Sequence, residues 1–220
     1  MTGRQSPRQR PRRPLAGPGG RPGWWAIGCG LVLLLVAGGQ VGRAHPVAET
    51  GAARVAQLSQ EPVAVPDGGP VALRIGAIDL TAPVVEVGVD PRTGELALPG
   101  VDRAGWYRFG PGPAATRGSI VIAGHVDSVA GPGVFFRLAE LAPGDRITVT
   151  AAGGAARRFE VVGREVYRKG DLPLERYFAR DGAPRLTLIT CTGPFDRPAG
   201  GYRDNLVVTA VPTGQLPAGR

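Results

Sequence analysis

Three side chains in this sequence could together carry out acyl transfer: Cys191, His125 and Arg203. A cysteine attacks a peptide carbonyl as its thiolate. A histidine must move the proton, because a leaving amine cannot depart unprotonated. A fixed positive donor must hold the oxyanion of the tetrahedral state, and arginine is never neutral near pH 7. Cys191 ends the apolar run RLTLITC (185–191), His125 ends SIVIAGH (119–125), and Arg203 stands in GGYRDNLVV. Each has a plainer reading alone: a structural strand-end histidine, an inert buried thiol, a surface arginine. Strand alternation puts Cys191 on the face of Thr187 and Ile189, opposite Leu186 and Leu188. If the leucines face the core, the thiol faces outward.

Reference values for a thiol and an imidazole leave such a pair mostly neutral near pH 7, and their titrations are coupled. A bell-shaped dependence of rate on pH is expected. Asp127 is placed either to orient His125 or to cap the turn after its strand. Thr190 could bond near the oxyanion, but alternation points it away from Cys191 unless the strand is bulged. Arg197 is the reserve for Arg203, and the other histidine, His45, falls in a linker. A zinc site from Cys191, His125 and Asp127 lacks the short-spaced ligand pairs of structural zinc centres. No acidic run is dense enough for a Ca²⁺ loop. Neither a metal nor a cofactor is expected.

The elements that must position these residues are short β-type runs divided by turn residues. They are VALRI (71–75), PVVEVGV (83–89), SIVIAGH (119–125), DRITVTA (145–151), RRFEVVGREVYR (157–168), RLTLITC (185–191) and NLVVTAV (205–211). Seven or so strands at this spacing predict an all-β sandwich or barrel. Two short helical pieces, GVFFRLAEL (133–141) and LPLERYFA (172–179), are expected as surface covers on a β core.

The 220-residue chain has room for one ordinary domain and an extension. Its net charge is +8, and six arginines before Trp24 account for most of it: Arg4, Arg8, Arg10, Arg12, Arg13 and Arg21. A nucleic-acid-binding domain would carry that charge on a folded face, so nucleic acid is not an expected partner. Residues 1–23 read as a basic cytoplasmic tail. Residues 24–42 form an uncharged apolar stretch with Trp24 and Trp25 at its edge, a transmembrane anchor or else a signal peptide. Basic residues before it place the remainder outside the cell, as a single-pass membrane protein. Residues 43–70, rich in Ala, Gly and Pro, read as a flexible linker; 71–212 as the domain; 213–220 as a tail. Of two cysteines, Cys29 lies in the apolar stretch. That leaves Cys191 a lone thiol in an exported domain, where an unpaired thiol calls for an explanation.

TLITC (187–191) followed by Tyr202-Arg203-Asp204-Asn205 resembles the active-site segment of sortases. AGHVDS (123–128) is similar to their histidine segment, and GVFFRLAELAPGD (133–145) to the helix and turn that follow it. CTGPFD (191–196) and GGYRDN (200–205) look most like class F, the actinobacterial sortases. The resemblance covers about residues 71–212. It implies a closed β-barrel of about eight strands, with His125 after the fourth, Cys191 ending the seventh and Arg203 in the eighth. It implies a membrane-tethered enzyme that cuts a sorting signal similar to Leu-Pro-x-Thr-Gly on a protein substrate. The thioester would pass to an amine, such as that of a peptidoglycan precursor, or to water. Two other readings stand beside it. One is a non-catalytic exported barrel that binds or scaffolds. The other is an L,D-transpeptidase, disfavoured because no arginine follows Cys191 until Arg197.

Overall fold

The structure is a computed structural model that describes residues 58, 60–65 and 68–214. The expected basic tail, the apolar stretch with Cys29, His45 and residues 215–220 lie outside the described residues. Among the described residues no helix is long and apolar enough to cross a membrane.

The described residues form ten strands: β1 (Pro70–Ile75), β2 (Leu80–Val87), β3 (Ala104–Tyr107), β4 (Ser119–Ala123), β5 (Asp127–Ser128), β6 (Gly131–Pro132), β7 (Arg146–Ala151), β8 (Ala156–Arg168), β9 (Arg185–Asp196) and β10 (Gly201–Pro212). Eight of them close a barrel in the order β1-β2-β3-β4-β9-β10-β8-β7, and β5 and β6 pair beside it. Closure leaves those strands no free sheet edge. The all-β class expected from the strand spacing is present, and so is the closed eight-stranded barrel that the resemblance implies.

Two apolar layers explain why the central strands read as continuous hydrophobic runs. Inside the barrel, Ile120, Ile122, Leu186, Leu188, Leu206 and Val208 pack with Leu73, Ile147 and Phe159. On the outer face, Val121, Ala123, Ile189 and Val207 pack under Leu96, Tyr107, Leu172 and Tyr177. Strands buried on both faces lose the polar half of their alternation.

Two expectations need correction, and one strand was not among the expected runs. AGWY at β3 is a strand with all four residues buried, too short and too uniformly covered to show a period. The piece 133–141 is helical only as a 3-10 turn at Leu138–Glu140. Its Phe135, Leu138 and Leu141 are fully buried in the inner core, so it is a plug and not a surface cover. Cys191 does not end its strand, because β9 continues to Asp196 and forms a hairpin with the start of β10. The second helical piece survives as one turn, α1 (Leu174–Tyr177), entered through Pro173.

Candidate active site

Strand register sets the site. β4 and β9 run parallel, Ser119 beside Arg185 through Ala123 beside Ile189. The Gly124 amide donates to the Ile189 carbonyl at 3.1 Å, and Thr190 Oγ1 donates to the Gly124 carbonyl at 2.8 Å. Continued one residue past these bonds, the same register sets His125 beside Cys191. On the other side of β9, Cys191 pairs with Asn205 of antiparallel β10, and Arg203 stands two residues earlier on the same face. The sequence thus brings the three expected residues to one end of three neighbouring strands, with the cysteine central.

Gly124 is required here. A Cβ would lie 2.5 Å from Val134 and 2.9 Å from the Phe135 ring, which seals the barrel under the histidine. The His125 carbonyl accepts from the Phe135 amide at 2.9 Å, and its Nε2 lies 3.1 Å from the Pro99 carbonyl oxygen. A carbonyl only accepts, so that contact puts a proton on Nε2 and leaves Nδ1 as the basic nitrogen of the neutral ring.

Cys191 faces the outer side of the barrel, as alternation predicts, yet it is only 8% exposed because the second apolar layer covers that face. Burial pushes its thiol up to about 11. The Lys169 charge opposes that rise, while Glu95 and Asp127 add to it. Cys191 is therefore held as the neutral thiol at pH 7 and needs a proton acceptor to react.

Arg203 is exposed, and its carbonyl accepts from the Lys169 amide at 3.0 Å. Between Tyr202 and Asp204 the β9–β10 register shifts, with Gly193 and Pro194 opposite Arg203. Gly193 adopts a left-handed φ of 79°, which only glycine takes without strain, and the bulge accommodates a proline inside a strand. Arg197 is exposed in the turn of the hairpin.

Asp127 does not bond His125: its Oδ2 accepts the Tyr202 hydroxyl at 2.6 Å. The Thr190 hydroxyl is used on the Gly124 carbonyl, so it braces the two strand ends. The sequence reading missed Asn205, Lys169 and Glu95. A polar residue opening the apolar run NLVVTAV was the one available signal for Asn205; the other two come from distant turns.

The family model described as the sortase domain matches residues 73–213. Among solved structures, sortase A from Corynebacterium diphtheriae is 24% identical with a TM-score of 0.51, covering 68% of this chain and 62% of that one. Its lid mutant is 25% identical with a TM-score of 0.51, covering 67% and 73%. Sortase C1 of Streptococcus agalactiae is 19% identical with a TM-score of 0.51, covering 66% and 67%. The chain thus spans less than two thirds of the first of these proteins. Comparison with curated proteins gives no match.

Proposed function

The chain belongs to the sortase family, and on that premise we propose that it is a cysteine transpeptidase of the class F type acting at the cell surface. Cys191, His125 and Arg203 carry the reaction in this reading. The observation that supports it is the register: the β4–β9 pairing, continued two residues past Ala123, sets His125 beside Cys191, and the β9–β10 pairing carries Arg203 two residues before the Cys191 partner Asn205.

His125 takes the proton from Cys191, and Sγ attacks the scissile carbonyl of a sorting signal similar to Leu-Pro-x-Thr-Gly. Arg203 holds the oxyanion. Collapse of the tetrahedral state breaks the C–N bond, and His125 gives its proton to the departing amine, leaving a thioester on Sγ. An incoming amine, such as that of a peptidoglycan precursor, then attacks the thioester, loses a proton to His125 and restores the thiol; water gives hydrolysis instead. The apolar stretch at 24–42 anchors the protein, and the domain lies outside the membrane.

The test is intact mass spectrometry of the full-length chain with a Leu-Pro-x-Thr-Gly peptide, beside Cys191→Ala. The expected result is a hydroxylamine-sensitive adduct of the peptide's N-terminal half on the wild type alone. Absence of any adduct across a panel of sorting-type peptides would overturn it.

The second reading is a barrel that binds a peptide without cutting it. The buried, protonated thiol favours it. A Cys191 that stays unreactive towards a small thiol reagent in the presence of every peptide would support that reading.

A further inference from the structure

Asn205 is 1% exposed, and its Oδ1 has no hydrogen-bond partner among the described residues. Buried polar atoms are nearly always paired, since an unpaired one has lost its water without replacement. This one belongs to the residue directly opposite Cys191, on the same face of the β9–β10 pair. Asn205 pairs with Cys191, and the β4–β9 register, continued two residues past Ala123, sets His125 on the other side of the thiol.

That order separates two chemical sides of the thiol. The imidazole exchanges protons with the amine that leaves and the amine that enters, so the amine side of the scissile bond lies towards β4. The acyl half then lies towards β10. An amide oxygen repels an oxyanion and cannot stabilise one. It can only accept an N–H or O–H. The oxyanion role on this strand stays with Arg203, while an extended peptide laid beside Asn205 offers backbone N–H groups.

We propose that Asn205 Oδ1 accepts one backbone N–H of the acyl half of the donor peptide and so holds that half beside Cys191. The inference rests on the transpeptidase reading above. The free protein holds this acceptor buried and unpaired; donor binding must part the cover over Asn205, as it must over the 8%-exposed Cys191, and then satisfies it.

The test uses full-length wild type, Asn205→Leu and Asn205→Ala, with a donor peptide and a set of depsipeptides. In each depsipeptide one amide N–H of the acyl half is replaced by an ester oxygen. Both variants are expected to raise KM about 5–10-fold, the size of one hydrogen bond, with kcat within about twofold. Alkylation of Cys191 by iodoacetamide stays unchanged. The near-isosteric leucine raises Tm, because it removes a desolvated acceptor. One depsipeptide is about 5–10-fold poorer than its parent for the wild type and no poorer for either variant. Equal depsipeptide penalties in wild type and variants overturn the proposal, as does an unchanged KM with a lowered Tm, which marks Asn205 as structural. If the wild type forms no adduct at all, the transpeptidase reading has failed. Anisotropy of the uncut peptide then decides the acceptor separately, and equal affinity for wild type and variants sinks it.

Discussion

Tyr202 donates its hydroxyl proton to Asp127 Oδ2 at 2.6 Å and so ties the start of β10 to the segment that follows His125. The carboxylate holds the Tyr202 phenol up at about 12, so the phenol keeps the proton it donates well into alkaline solution. The same carboxylate contributes to the raised Cys191 thiol. Tyr202→Phe removes the bond and leaves the stacking of Tyr202 on Phe195, whose ring centroids are 5.3 Å apart. The expected loss is about 1 kcal/mol, or roughly 2–4 °C in Tm for a domain of this size. Turnover should fall further than Cys191 alkylation, since the histidine segment loosens while the thiol stays buried. Thermal scans and parallel kinetics check this, and equal losses in the two assays would contradict it.

The thiol makes the second prediction. A value of about 11 leaves about one part in 10⁴ as thiolate at pH 7. Alkylation of the free protein should be slow at pH 7 and climb past pH 9, with its midpoint near 11. Because the folded state raises the thiol above its unfolded value of about 8.5–9, Cys191 contributes stability that is full below that value. This contribution is lost as pH rises through about 11. The Cys191→Ala protein should therefore lose less stability than the wild type between about pH 9 and 11. An alkylation midpoint near 8.5 would show that the thiol is solvated.

Gly133 lies against the backbone that carries the histidine. A Cβ at this position would come within 2.7 Å of the His125 carbonyl carbon and 3.0 Å of its Cβ. Backbone cannot swing aside as a side-chain tip can, so Gly133→Ala must displace His125. The expected outcome is a loss of turnover of about 10²-fold, as for a misplaced catalytic group, with alkylation of Cys191 nearly unchanged. A turnover loss matched by equal loss of alkylation would mean that the whole barrel end had shifted.

The all-β class was legible because turn residues divide the apolar runs. β3 was not, since AGWY is covered on both sides and carries no period. The same double layer explains the site. Alternation placed Cys191 on the outer face correctly, but a sequence does not show that Leu96, Leu172 and Tyr177 come back over that face. His125 was legible as a residue just past the end of its strand, whereas Cys191 was read as a strand end and lies inside β9; the pairing that relates them joins strands more than sixty residues apart, which no local pattern encodes. Asp127 illustrates the limit: two local roles were open to it, and a tyrosine from the far end of the chain took it instead.

Arg203 and Lys169 separate the two uses of positive charge at this site. Both lie on the Cys191 side, joined where the Lys169 amide donates to the Arg203 carbonyl. The charge that lowers the thiol is that of Lys169, whereas Arg203 is exposed at the bulge beside Gly193. Lys169→Ala should raise the thiol further and slow alkylation at neutral pH, moving its midpoint upward. On the proposed mechanism, Arg203→Ala should leave alkylation unchanged, because the role assigned to it there begins only when an oxyanion forms. Its turnover should drop about 10²–10³-fold, the usual loss for one oxyanion donor. Arg203→Lys should recover only part of that, since an ammonium presents a point charge where the guanidinium offers a fixed fork of donors. Stopped-flow alkylation beside single-turnover acylation reads the two effects apart. If Arg203→Ala slows alkylation as much as acylation, its charge acts on the thiol in the free protein and the division of labour between the two residues is wrong.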